Sequence, residues 1–297
     1  MSPKFPITHR IWRGLLLLAA SQLTVVCALA QSQPASAPPG PTSTPSLERQ
    51  FIKNIFHDQR AIWTAPFRLR RQDARRLAPL GLSTVALLAT DQETDEFGNN
   101  RRRLSISRDI SYAGNLYATA GVATAFYLAG RATGNQRARE TGLLGGEALI
   151  NSGIVYAVLK SATQRPRPGH DDSQGEFFDG GHSFPSGHAT SAWALATVIA
   201  HEYGKRRAVQ IGAYGLATAV SIARFTGRNH FLSDTLVGSA IGYGIGRYVY
   251  RAHHDPTLDA GSSTPPEDVG RSRRIPFVTP HYNRMARAYG LTLAWNF

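Results

Sequence analysis

The chain is poor in cysteine, lysine and acid. Cys27 stands alone among 297 residues, so no internal disulfide forms, and no Cys-x-x-Cys pair exists to hold zinc or run dithiol redox chemistry. Of the 33 basic residues only Lys4, Lys53, Lys160 and Lys205 are lysines, which leaves 29 arginines. Only 20 acidic residues oppose them, giving a net charge of +13 and a pI near 10.4. Such an excess calls for an anionic partner, whether nucleic acid, anionic lipid or a phosphorylated small substrate. No dense Asp/His cluster with metal-ligand spacing is visible. The acidic run from Asp91 to Arg103 has Glu96 where an EF-hand loop needs glycine, which excludes a calcium loop of that type. Apolar residues are not scarce: 42% hydrophobic against 18% charged are ordinary globular values and exclude disorder throughout.

Residues 1–30 have the layout of a secretory signal. Lys4, Arg10 and Arg13 precede the apolar stretch from Gly14 to Leu29, which ends in the small-residue pattern Ala28-Leu29-Ala30. Export follows, with cleavage before Gln31 or with the segment kept as an anchor. Residues 31–46 carry five prolines among small residues and read as a linker. A folded body is expected over 47–255. It begins with an amphipathic helix in which Leu47, Phe51, Ile52, Ile55, Phe56, Ile62 and Trp63 recur at helical spacing. A basic cluster follows at Arg68, Arg70, Arg71, Arg75 and Arg76, which suits an anionic membrane surface or a solvated helix face. Longer apolar stretches then run over Leu77 to Thr90, Tyr112 to Gly130, Leu143 to Leu159, Ala189 to Ala200, Ala208 to Ala223 and Thr235 to Tyr250. Their length and scarcity of proline predict an all-α bundle. Their many Ala, Gly, Thr and Tyr residues favour a soluble or peripherally bound bundle over membrane spans. Residues 256–274 read as a polar linker and 275–297 as a short C-terminal β-hairpin.

Chemistry concentrates in three blocks. In the first, Lys160 ends an apolar helix and is followed by Arg165-Pro166-Arg167-Pro168. A mobile ammonium and a planar guanidinium fork can grip different oxygens of one phosphoryl group. The second is Pro185-Ser186-Gly187-His188, at the start of an Ala-rich helix. Ser186 is placed to cap that helix and Gly187 lets backbone approach an anion at its positive end. The third runs from Arg224 to His230 and Asp234. Four residues apart, His230 and Asp234 would share one face if helical, so that the carboxylate holds one ring nitrogen and aims the other outward.

Lys160 with six residues to Arg167-Pro168, then Pro185-Ser186-Gly187-His188, then Arg224 with five residues to His230 and three more to Asp234, resembles the type 2 phosphatidic acid phosphatase (PAP2) superfamily. Bacterial class A acid phosphatases and vanadium haloperoxidases share the signature. The resemblance implies an α-helical bundle of that type and a metal-independent phosphatase without cofactor, acting on a phosphomonoester or diphosphate, in particular of a lipid. It implies that His230 attacks phosphorus to give a phosphohistidine, that Asp234 orients it, and that His188 protonates the leaving alkoxide and then activates water. Lys160, Arg167, Ser186, Gly187 and Arg224 would bind the phosphoryl oxygens. Ala223 stands where the family usually has serine. Arg165 and Arg228 fall outside the motif spacing and read as outer or solvated residues. The acidic loop between His170 and His182 is a solvated loop or a gate.

An exported phosphatase in the cell envelope, periplasmic and membrane-associated, is therefore the expectation, with a phosphorylated lipid and an anionic membrane surface as partners and no nucleic acid. A vanadate-dependent haloperoxidase and a non-catalytic envelope protein that only holds anionic lipid are the alternatives.

Overall fold

The computed structural model describes residues 47–94, 101–168, 175–260, 277–283 and 288–294. The signal and linker readings for 1–46, residues 95–100, and residues 169–174 of the segment expected as a solvated loop or gate lie outside the described residues. Two units are distinguished, Met1–His254 and Asp255–Phe297.

The first unit is helical. In chain order come α1 (Leu47–Thr64), a 3-10 turn (Ala65–Arg68), α2 (Arg71–Thr94), α3 (Arg101–Tyr112), α4 (Leu116–Thr133), α5 (Gln136–Thr163), α6 (Gly187–Glu202), α7 (Arg207–Thr226) and α8 (Leu232–His253). The all-α expectation holds. The apolar stretch from Tyr112 to Gly130 is divided by Asn115, whose Oδ1 accepts the Ala118 amide at 2.7 Å and caps α4. Gly134, at φ 70°, ends that helix in the left-handed conformation that glycine adopts at little cost, and Asn135 caps α5 through the Ala138 amide.

Helix α6 is the centre of the bundle. Its residues are apolar nearly all round, so it buries every face. Ala194 and Val198 meet Leu144, Ala148 and Val155 of α5 and Ile245 and Val249 of α8. Trp193 and Ala196 meet Ala217 and Val220 of α7. Leu195 packs with Ala123 of α4 and Leu149 of α5. Helices α6 and α8 lie closest, because α8 presents glycine at every fourth position. A Cβ on Gly238, Gly242 or Gly246 would stand 2.6, 2.2 or 2.4 Å from the carbonyl oxygens of Ser186, Thr190 and Ala194. This backbone contact holds the start of α6 against the start of α8, where the second and third sequence blocks lie. Around the centre, α1 packs on α5, α2 on α8 and α3 on α7.

Among the described residues one helix, α5, is long and apolar enough to cross a membrane, and half of its most apolar window is buried inside the protein. Large apolar side chains are also exposed: Phe56, Phe67 and Leu69 near the N-terminal end, Tyr117 and Leu128 on α4, Ile211 and Leu216 on α7. The amphipathic reading of α1 therefore needs correction at Ile52 and Phe56, which are 62% and 75% exposed while Asp58 is buried on the packed face.

The second unit contains a short helix α9 (Thr257–Ala260), inside the stretch expected as linker, and two antiparallel strands, β1 (Phe277–Asn283) and β2 (Ala288–Ala294), paired from Phe277 with Ala294 to Asn283 with Ala288.

Candidate active site

The three sequence blocks meet where α5 ends and where α6 and α8 begin. Backbone bonds join them: Phe178 N–H donates to the Thr163 carbonyl at 2.8 Å, Ser183 N–H to that of Arg165 at 2.6 Å, and Ser186 N–H to that of Asp234 at 3.0 Å.

Asp234 is fully buried at the third position of α8, and its Oδ2 accepts the Phe231 amide at 3.0 Å. A carboxylate three residues into a helix that reaches back to the N-cap amide is half of a capping box. His230 lies just before the helix, so the two do not share a helical face as the spacing had implied. The chain instead turns so that His230 Nδ1 sits 3.6 Å from Asp234 Oδ2 and 3.4 Å from Ser183 Oγ, which itself bonds Asp234 Oδ2. Burial is the largest influence on the imidazole of His230 and lowers its pKa; Asp234 opposes this, and Arg224 and Arg167 add to the lowering. Burial also pushes the Asp234 carboxyl up, yet His230, Arg165 and Ser183 together hold it below its ordinary value. The pair is thus an uncharged imidazole beside an ionised carboxylate.

The principal residue missed from the sequence is Arg165. It is 2% exposed, neither solvated nor peripheral. NH1 donates to Asp234 Oδ1 at 2.7 Å and to Ser233 Oγ at 2.8 Å, NH2 donates to Asp91 Oδ2 at 2.9 Å, and Nε donates to the Gly175 carbonyl at 2.7 Å. The guanidinium also lies 4.1 Å from the Phe231 ring centre and 5.1 Å from that of Phe177. Ser233 closes the network on Asp91. Spacing could not reveal this, because Asp91 is 74 residues from Arg165.

The other candidate residues converge on the same place. Ser186 occupies the N-cap position of α6, but its side chain makes no capping bond. Its Oγ is buried with no hydrogen-bond partner among the described residues, as is Nε of Arg224. The amides of Gly187, His188 and Ala189 belong to the first helical turn, where no preceding carbonyl within the helix can accept them. A Cβ on Gly187 would come within 2.8 Å of the Tyr156 ring, whose hydroxyl accepts a bond from Lys160 Nζ at 2.8 Å. Lys160 is half-buried, Arg224 buried and Arg167 exposed at the rim. All three act electrostatically on His188. Burial first, then Arg224, His230, Arg167 and Lys160, push its pKa down to about 4. Burial and the neighbouring Arg167 likewise lower Arg224 to about 10. Among the described residues no ion pair is seen for Lys160, Arg167 or Arg224, so the three cations give the pocket a positive potential. Ala223, beside it, is buried.

A groove of about 750 Å3 runs between α4 and α5, lined by Leu116, Ala120, Leu143, Ile150 and Ile154, and reaches Tyr156, Gly187 and His188. Its lining is mainly apolar.

The α-helical bundle is the architecture the three blocks implied, and it brings His188, His230, Asp234, Lys160, Arg167 and Arg224 to one region. The family model of the PAP2 superfamily matches residues 142–257, which contain all three blocks. A lipid A 1-phosphatase of Porphyromonas gingivalis is 37% identical over 70 residues; the match takes in 23% of this chain and spans only 16% of that protein's length. Among solved structures, that of LpxE from Aquifex aeolicus is similar with a TM-score of 0.44 and 20% identity, covering 55% of this chain and 94% of that one. A transmembrane PAP2 type phosphatidylglycerolphosphate phosphatase from Bacillus subtilis is similar with a TM-score of 0.47 and 20% identity, covering 59% and 94%.

Proposed function

We propose that the protein is a phosphatase that hydrolyses a phosphomonoester or diphosphate of a lipid through a phosphohistidine, without metal in the reaction. The observation that carries the lipid reading is the apolar groove ending at His188 and Gly187. A phosphoryl group held by the cations would leave its apolar tail in that groove. The name of the lipid A 1-phosphatase relative points the same way.

Lys160, Arg167 and Arg224 take the equatorial phosphoryl oxygens, with the Ser186 hydroxyl and the Gly187 amide completing the cradle. Phosphoryl transfer needs mainly such positioning and charge. With Nδ1 held by Asp234 and Ser183, Nε2 of His230 carries the free lone pair and attacks phosphorus. The P–N bond forms as the bond to the leaving oxygen breaks, and His188 gives that oxygen a proton. Water then attacks phosphorus, losing its proton to His188, and the P–N bond breaks to return His230 and release phosphate. A pKa of about 4 keeps His188 neutral in the empty pocket at pH 7. Burial is the largest cause of that lowering and the cations add to it; a bound phosphoryl dianion offsets the cations and raises the pKa, so substrate binding favours the protonated His188 that serves as general acid.

The expected outcome is that His230→Ala abolishes phosphate release while EDTA does not, and that acid-labile phosphate becomes trapped on wild-type protein. Full activity in His230→Ala would overturn the mechanism. A substrate panel run in detergent and in plain buffer checks the lipid assignment, and preference for short soluble esters would sink it. Halide oxidation with vanadate and peroxide is expected to be absent.

A further inference from the structure

A second group of titratable side chains lies far from the phosphoryl pocket. Asp58 on α1, Glu147 on α5 and His253 at the end of α8 bring one ligand atom each to a common point, all within 4.8 Å of one another. Asp58 Oδ1 stands 2.9 Å from His253 Nε2, which is 3.8 Å from Glu147 Oε1. Asp234 and His253 sit near opposite ends of α8, so at 1.5 Å per residue the group lies roughly 28 Å along the helix from the reaction centre.

Asp58 is 0% and Glu147 2% exposed. Among the described residues neither is paired with arginine or lysine, and histidine is the only cationic partner within reach. Two carboxylates buried without a fixed countercharge are costly. Asn54 bonds the Glu147 carboxyl, yet its Oε1, the atom facing His253, has no hydrogen-bond partner among the described residues. Asp58, by contrast, is held in place. Its Oδ2 accepts Asn151 Nδ2 at 2.9 Å, Asn151 Oδ1 accepts Gln59 Nε2 at 2.8 Å, and Gln59 Oε1 accepts Trp63 Nε1 at 2.9 Å. Buttressing of this kind is what fixes a metal-binding carboxylate. A neighbouring group, Glu140, Glu202 and His254, has the same composition, but Arg137 stands 3.6 Å from Glu202 and supplies the positive charge.

We propose that Asp58 Oδ1, Glu147 Oε1 and His253 Nε2 bind a divalent cation of the zinc type, which clasps α1, α5 and α8 together. Carboxylate and imidazole ligands about 2.0–2.2 Å from zinc stand roughly 3.3 Å apart in a tetrahedron, between the 2.9 and 3.8 Å that separate His253 Nε2 from Asp58 Oδ1 and Glu147 Oε1. Two negative ligands and one neutral imidazole neutralise the ion. The fourth position falls to water or to His57, whose exposed ring has Nδ1 4.0 Å from Asp58 Oδ1. The ion has a structural role and takes no part in phosphate release.

The test is titration of the chelator-treated full-length protein with Zn2+ and, separately, Mn2+, followed by calorimetry and thermal unfolding. One equivalent of Zn2+ should bind and raise the unfolding temperature, and EDTA should reverse this without stopping turnover at temperatures well below unfolding. Glu147→Gln keeps the shape of the side chain and should weaken binding at least tenfold while the metal-free protein stays folded; His253→Ala should do the same, and His230→Ala should not. Failure of both ions to bind overturns the proposal, as does binding that survives Glu147→Gln or vanishes in His230→Ala. A wild-type unfolding temperature indifferent to bound zinc also overturns it, and leaves a carboxyl that keeps its proton.

Discussion

Arg165 joins two buried carboxylates, and that fixes what its removal would do. Arg165→Met leaves Asp91 and Asp234 without their shared cation, an uncompensated burial that costs about 3–5 kcal/mol. Arg165→Lys restores one charge but not the fork that reaches both, so it should unfold at a temperature between the two and turn over more slowly than wild type, with KM little changed. Equal kcat in Arg165→Lys and wild type would remove Arg165 from the positioning of His230. His188 offers a second check through pH. Arg224 and Arg167 are among the groups that hold it near 4. Arg167→Gln should therefore move the alkaline limb of kcat/KM to higher pH, since losing a cation raises the pKa of the acid that must be protonated, while KM rises. An unmoved limb would detach His188 from the proton transfer. The residues to which we assign phosphate binding stand out in the sequence because the chemistry proposed for them dictates type and spacing together. Arg165, Ser183 and Asp91 were not, because they act through contacts between segments whose separation in the chain carries no signal.

At the scale of elements, the helices were legible from apolar runs bounded by caps, but their packing was only partly so. Helix α3 escaped notice because it is basic, with Ile106 exposed, and it docks through Ser107, whose hydroxyl meets that of Thr226 at 2.8 Å, with no apolar stripe to mark it. The glycines of α8 read in sequence only as helix weakeners, each costing about 1 kcal/mol relative to alanine. In the bundle they set how closely α8 approaches α6, and hence the bond from Ser186 N–H to the Asp234 carbonyl. Gly242→Ala should destabilise by about 1–3 kcal/mol, the usual cost of overpacking, and lower kcat with it. A Cβ added to Gly244, on the same helix, would meet nothing within 4 Å, so Gly244→Ala should be neutral or stabilising by up to about 1 kcal/mol. Denaturant midpoints of the two variants compare the seam with the open face; equal effects would mean that the close approach is not what the glycines provide.

At the scale of the whole chain, the positive charge falls into two groups, and we propose a separate task for each. Lys160, Arg167 and Arg224 surround the phosphoryl pocket, whereas Arg68, Arg70, Arg71, Arg75 and Arg76 lie exposed next to Phe67, 89% exposed, and Leu69, 53% exposed. Apolar side chains left in water beside a row of cations are the composition of a surface that rests on anionic lipid: the rings enter the interface and the guanidinium groups stay with the headgroups. The two contributions separate by salt. Screening weakens attraction at long range, with a Debye length near 10 Å at 0.1 M, but leaves apolar insertion intact. Binding to vesicles containing anionic lipid should therefore fall as NaCl rises from about 0.1 to 0.5 M and level off above zero. Phe67→Ser should lower binding about tenfold at either salt, consistent with withdrawing one aromatic side chain worth about 1.5–3 kcal/mol. A double change, Arg70→Gln with Arg75→Gln, should remove mainly the salt-sensitive part, near 1 kcal/mol for each charge. Hydrolysis of a short water-soluble phosphate ester should be unchanged in both variants, because neither touches the pocket. Vesicle binding indifferent to Phe67 and to the arginines alike would assign this surface to solvent and leave the groove between α4 and α5 as the sole contact with lipid.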